Sequence, residues 1–342
     1  MAIVGIDLGT TMSAIARLDE MGKPQVIPNS EGDLITPSVV LFEDKTNKVV
    51  GKVAKQSSVA YPDRVVEFVK NEMGKATKWE FFGEPYSPED ISAIILRRLK
   101  ADAEGTLGEP VERAVITVPA IFGEAERNAT KSAGRIAGLD VIALLDEPVA
   151  AALSYGFGRE TGSDEAQNVL VYDLGGGTFD LTVMRIAGNK ITMLATDGDR
   201  RLGGRDWDDK IIEFVARQFE EEHGVDPKAD LECFQDLRNR AEDAKKTLTR
   251  REQTRIICQY SGNTTRVELT REKFNELTAD LLSQTETTCQ VVVSNLQGSG
   301  KLPGGWGDIH HVLLAGGSSR MLQVQEMLGR ISVKAPEMLE VD

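Results

Sequence analysis

Two carboxylates, Asp7 and Asp173, each close a short apolar run and are each followed by Leu-Gly. The runs Ile3-Val4-Gly5-Ile6 and Val169-Leu170-Val171-Tyr172 have the composition of buried strands. Glycine just after them admits a positive φ and lets the backbone approach a ligand with no Cβ in the way. Ser13-Ala14-Ile15-Ala16 and the stretch from Phe179 to Met184 read as return strands. Each motif is therefore predicted to be a β-hairpin whose tip exposes backbone N–H groups, which is an anion nest. One glycine-rich hairpin is commonly a plain turn. Two that share an Asp-Leu-Gly start point to a polyphosphate gripped from both sides. At an effective dielectric near 20, each close pairing of a carboxylate with a phosphate charge costs on the order of 3–4 kcal/mol. A Mg²⁺ between them removes the conflict, because it binds through one or two carboxylates plus phosphate oxygens and keeps several waters.

The elements that must hold these tips follow from periodicity. At 342 residues the chain is longer than one ordinary domain, so two lobes are expected. The first covers 1–157. It opens with strands over Ala2–Leu8, Ser13–Asp19 and Val39–Phe42, then a helix from Pro88 to Ala103 carrying Ile91, Ile94, Ile95 and Leu99 at helical spacing. A strand over Val111–Val118 stops at Pro119, and a helix from Gly123 to Gly138, a strand over Val141–Leu145 and a helix from Pro148 follow. Residues 158–168, rich in small and acidic residues, read as a connection. The second lobe, 169–342, repeats the logic: a hairpin, strands to about Ala195, a polar loop over Asp197–Gly204, and helices over Arg205–His223, Asp230–Thr249 and Glu272 to about Val293. Val312-Leu313-Leu314-Ala315 then runs into Gly316-Gly317-Ser318-Ser319-Arg320, predicted as a strand-to-helix turn. Ser318 or Ser319 would cap that helix, whose N-terminus would face phosphate or ribose.

Composition excludes several alternatives. A net charge of −14 argues against an extended nucleic-acid surface, which needs clustered Lys and Arg. No apolar stretch reaches membrane-spanning length and the first residues lead directly into a strand, so the expectation is a cytoplasmic protein without a membrane partner. Cys233, Cys258 and Cys289, and His223, His310 and His311, have neither disulfide nor zinc spacing and read as structural.

Taken together, Gly5-Ile6-Asp7-Leu8-Gly9-Thr10-Thr11, Asn29-Ser30-Glu31-Gly32, Thr36-Pro37-Ser38, Ile116-Thr117-Val118-Pro119-Ala120, Glu147-Pro148 with Ala150-Ala151-Ala152, the Asp173–Asp180 motif, Leu202-Gly203-Gly204 and Gly316-Gly317-Ser318-Ser319-Arg320 closely resemble the nucleotide-binding domain of the 70-kDa heat-shock chaperones of DnaK type. They follow the family's order over almost the whole chain. The resemblance implies an α/β, two-lobed fold of the actin and sugar-kinase class with a nucleotide cleft between the lobes. It also implies slow hydrolysis of ATP to ADP, with Mg²⁺ as cofactor and K⁺ as an optional second cation.

Carried over residue by residue, Asp7 and Asp173 would hold the metal. Gly9, Thr10, Thr11, Met12, Gly175, Gly176, Gly177 and Thr178, with Gly203 and Gly204, would cradle the phosphates. Lys70 would be the catalytic lysine, a fixed cation for charge spread over the phosphoryl oxygens. Glu147 and Asp180 would orient water and cations, with Asp173 and the Thr178 hydroxyl beside them. Glu242, Lys245, Lys246, Thr249, Gly316, Gly317, Ser318 and Arg320 would contact adenosine. Pro119, Arg127 and Pro148 would relay nucleotide state toward a peptide-binding domain.

The departures carry their own expectations. Lys246 stands where the family has Arg, and an ammonium cannot stack on adenine as a guanidinium does, so adenine should bind more weakly. Met12 replaces a usual Asn, Arg205 a usual acid, and Met321-Leu322 a small aliphatic residue and proline. The segment after Gly74 is shorter than in many relatives. The sequence reaches Val341-Asp342, where relatives continue into a closing helix, a linker and a peptide-binding domain. J-domain co-chaperones and nucleotide exchange factors are implied as partners, and unfolded polypeptide only through that further domain. A non-catalytic nucleotide-dependent binding module is the alternative, and a small-molecule kinase on the same scaffold a more distant one.

Overall fold

The structure is a computed structural model describing residues 2–156 and 166–338. Most of the connection expected at 158–168, and the terminal Val341-Asp342, lie outside the described residues. The chain divides into two compact units, one reaching Ala150 and the other starting at Ala151.

In the first unit, Ala2–Asp7 lies parallel to Val111–Val118 and antiparallel to Met12–Leu18. Asp140–Asp146 extends the sheet beyond Val111–Val118, and Pro24–Val26 extends it at the other side. Alternation along Ala2–Asp7 buries Val4 and Ile6, which join Ile116 and the helix residues Ile91, Ile95 and Leu99 in one core. That helix, Pro88–Leu107, begins where periodicity and proline place it. Ser87 caps it through a capping box with Asp90, and Gly108 ends it at φ 68°.

The second unit repeats the arrangement. Gln167–Leu174 lies antiparallel to Phe179–Ala187 and parallel to His311–Ala315, with Lys190–Asp199 and Glu337–Met338 on the outer sides. In both sheets, therefore, the strand that carries the Asp-Leu-Gly aspartate has one antiparallel hairpin partner and one parallel neighbour. Tyr172, Phe179, Trp207, Ile211 and Phe219 fill the core under this sheet.

Three expectations in the second unit need correction. The strand expected to end near Ala195 continues to Asp199, because Thr196 and Gly198 remain paired with Thr182 and Asp180. The single helix expected from Glu272 is two, Arg271–Leu277 and Ala279–Gly298. Thr278 sits between them at φ −112°, its hydroxyl donating back to the Phe274 carbonyl while its side chain meets Gln323. Apolar periodicity passes through this break unchanged, which is why the pattern hid it. Finally, neither Ser318 nor Ser319 caps the following helix: they lie in a 3-10 turn, and Leu322–Ser332 has Met321 at its N-cap with no side-chain cap.

Candidate functional site

The hairpin tip of the first unit is fixed by hydroxyls. The Gly9 N–H donates to Ser13 Oγ at 3.2 Å, Ser38 Oγ donates to the Gly9 carbonyl at 2.8 Å, and the two serine hydroxyls lie 2.9 Å apart. A Cβ on Gly9 would stand 1.9 Å from the Met12 carbonyl oxygen, so this turn closes only around glycine. Thr10 is buried; Thr11 and Met12 are half-buried. Asp7 is exposed at the end of its strand, and its Oδ1 accepts a hydrogen bond of 2.7 Å from Thr117 Oγ1 on the parallel neighbour.

Lys70 lies in a 3-10 turn, Val69–Glu72, entered through Phe68 at φ 58°, a left-handed conformation uncommon for a bulky residue. The turn buries the lysine to 6% exposure and brings Nζ within 2.6 Å of Glu147 Oε1. Burial pushes the Glu147 carboxyl above the ordinary glutamate range. The Lys70 charge opposes that shift, and Asp7 and Asp146 add to it. The lysine and the glutamate thus form a low-dielectric pair under the repulsion of two nearby carboxylates.

Arg127 extends the cluster. It donates to the Phe122 carbonyl and through Nη2 to Asp146 Oδ1. Asp146 is paired in register with Val118, the residue before Pro119, and precedes Glu147-Pro148, which open the Glu147–Tyr155 helix. Pro119, Arg127 and Pro148 consequently gather around the peptide that carries Glu147. The expectation missed Asp146, whose partner is 19 positions away and on a different element.

In the second unit, Gly175 N–H donates to the Thr178 carbonyl at 2.9 Å, and Asp173 stands opposite Asp180 in the ladder. Thr178 and Asp180 are buried. The chain after Leu202 packs backbone to backbone on this tip: Gly204 and Arg205 N–H groups donate to the Gly175 and Gly176 carbonyls at 2.9 and 2.8 Å. A Cβ on Gly203 would lie 2.4 Å from Gly177 N. Gly203 is therefore required by packing against the tip, and Gly204 by the Ser318 and Lys245 side chains that crowd it. Their closeness to the Gly175–Thr178 turn is what sequence spacing could not show.

The adenosine candidates converge on the same end of the sheet. Gly316 turns at φ 78°, and a Cβ there would lie 2.4 Å from both Asp173 Oδ1 and the Leu174 carbonyl oxygen. Ser319 Oγ accepts from Leu174 N–H at 3.1 Å, which is the role it takes in place of capping. A Cβ on Gly204 would meet Ser318 Oγ at 2.1 Å and Lys245 Nζ at 2.9 Å, so the glycine loop, the serine turn and the Leu231–Leu248 helix meet there. Lys245 is 7% exposed and donates to the Gly204 carbonyl at 2.6 Å and to Asp208 Oδ2 at 2.8 Å. Asp208 was not among the sequence candidates. Glu242 and Lys246 pair at 2.7 Å, with the lysine side chain 56% exposed. Thr249 caps that helix by donating to the Lys246 carbonyl. Gly317 and Arg320 are exposed.

Among the described residues no group of three or more His, Cys, Asp or Glu side chains is placed to hold a metal, and no helix is long and apolar enough to cross a membrane. A family model described as Hsp70 protein matches residues 3–339.

Proposed function

The chain belongs to the Hsp70 family, whose ATPase domain has the actin-like two-lobe fold, and from that premise we propose that it is the ATP-hydrolysing module of a DnaK-type chaperone. Hsp70 proteins are nucleotide-binding chaperones and ATPases that use Mg²⁺ and work with J-domain proteins and exchange factors. The finer reading adds slow intrinsic turnover and rotation of the lobes as nucleotide changes, with the site residues in the roles named above.

The observation that carries this reading is the Lys70–Glu147 pair at 2.6 Å. Phosphoryl transfer asks the protein chiefly for positioning and a fixed charge. Lys70, held by Glu147, supplies a cation whose place is set before substrate arrives. Glu147, whose carboxyl is pushed up by burial and by Asp7 and Asp146 against the opposing charge of Lys70, would orient the attacking water. Asp7, fixed by Thr117, and Asp173, beside Gly316, each present a hard carboxylate oxygen of the kind Mg²⁺ takes, and a divalent ion held by such oxygens would neutralise phosphate charge. The two hairpin turns would bind phosphate through backbone N–H groups other than those of Gly9 and Gly175, which are held by Ser13 and Thr178. Gly204, Lys245 and Ser318 form the adenosine side.

Single-turnover phosphate release from Mg-ATP tests the proposal. Release at a measurable rate, abolished by EDTA, is the expected result. Tight ADP binding with no release at all would leave a non-catalytic nucleotide-dependent binding module in its place.

A further inference from the structure

Asp208 belongs to none of the motifs that suggested nucleotide binding, yet it is the only side chain whose oxygen meets the Lys245 ammonium among the described contacts. It projects from the Gly204–His223 helix, and the two side chains are each 9% exposed. An ammonium has three N–H donors. The Gly204 carbonyl takes one at 2.6 Å and Asp208 Oδ2 a second at 2.8 Å, which leaves one for a ligand. The other carboxylate oxygen, Oδ1, is buried without a hydrogen-bond partner. A buried acceptor left open is costly in a purely structural ion pair. Gly204 closes the arrangement, since any side chain there would displace Lys245 Nζ or Ser318 Oγ.

We propose that Asp208 is a positioning residue for adenosine: it fixes the Lys245 ammonium so that its remaining donor meets a hydroxyl of the ribose, and nucleoside affinity depends on Asp208 being ionised. This rests on the adenosine reading of Lys245 and Ser318. Burial pushes the Asp208 carboxyl up to about 6, with Lys245 opposing and Glu242 and Asp209 adding to the shift. These are the charged groups that act on it, Lys245 and Glu242 from the Leu231–Leu248 helix and Asp209 from its own. The carboxylate is mostly ionised at neutral pH and protonated in mild acid. When it is protonated, Lys245 loses its charged acceptor and with it a defined direction.

The test compares two probes on the whole chain by calorimetry from pH 5 to 8: Mg-ADP, and Mg-pyrophosphate, which lacks the nucleoside. In the native chain the ratio of ADP to pyrophosphate affinity should fall several-fold as pH drops through about 6. In Asp208→Asn the ratio should be about tenfold lower at pH 8 and flat across the range, while Asp208→Glu should keep part of the slope. A flat ratio in the native chain overturns the proposal and needs no variant to fold. So does equal loss of both probes in Asp208→Asn at an unchanged melting temperature, because that would make the residue a support for the whole site. Failure of the native chain to bind either probe would instead sink the nucleotide reading itself.

Discussion

Lys70 Nζ and Glu147 Oε1 meet at 2.6 Å across 77 positions of chain, one from a 3-10 turn and the other from the first residue of a helix. Neither element makes the pair by itself. The contact joins that turn to the chain just past the parallel strands ending at Val118 and Asp146, where Arg127 donates to Asp146.

Replacing the cation should therefore separate chemistry from binding. Lys70→Ala is expected to lower single-turnover hydrolysis by at least about 100-fold, the scale of losing one fixed electrostatic group, with ADP affinity within a few-fold of native. Rapid-quench phosphate release and calorimetry check this; full turnover in the variant would remove Lys70 from the chemistry.

The two tips should respond differently to a methyl group. At Gly9 a Cβ lies 1.9 Å from the Met12 carbonyl oxygen, whereas at Gly175 the nearest atom is the Thr178 carbonyl oxygen at an ordinary 3.5 Å. Gly9→Ala is expected to cost more than about 2 kcal/mol in urea unfolding and Gly175→Ala less than about 1 kcal/mol. Equal costs would mean that the first tip opens without penalty.

Lys246 is mostly exposed, and its ion pair with Glu242 is of the kind that contributes little. Lys246→Arg is expected to tighten ADP binding by stacking a flat guanidinium on adenine, about two- to tenfold, with little change in stability. An unchanged dissociation constant would show that adenine does not lie against this position.

Stability should carry the mark of Asp208. Its folded-state pKa of about 6 exceeds its ordinary 3.8, so the folded chain holds the proton more tightly. The group's contribution is complete below about pH 4 and lost as pH rises through about 6, on the order of 3 kcal/mol. Groups whose pKa is lowered, such as Asp280 beside Lys210, tilt stability the other way. The native-minus-Asp208→Asn difference in unfolding free energy, measured from pH 4 to 7, should therefore fall across that window. A constant difference would contradict it.

Mg-ADP at a hundred times its dissociation constant should add about 2.7 kcal/mol to unfolding. A melt with and without it, repeated in EDTA, reads the effect directly, and an unmoved transition would argue against nucleotide binding.

Much of this was legible in the sequence, for a local reason. Asp-Leu-Gly after an apolar run is a short-range pattern, and alternation along Ala2–Asp7 and Gln167–Leu174 sets which residues face the core. Two copies made the repeat visible, and both sheets have it. The Pro88 helix was announced by its cap and its period.

What failed was what two distant segments decide together. The break at Thr278 is where its hydroxyl meets Gln323, 45 positions away, and periodicity cannot register such a contact. Ser319 looked like a cap because serine before a helix usually is one, but the parallel strand pairing brought the Leu174 N–H to it instead. The sequence by itself determined the two hairpins, their aspartates and the types of residue available for phosphate chemistry, because backbone propensity and burial act over a few residues. Only the tertiary structure decided that Lys70 lies on Glu147, that Arg127 holds Asp146 and that Asp208 holds Lys245. Ion pairs between elements depend on distance and desolvation in space, and neither is written in the spacing along the chain.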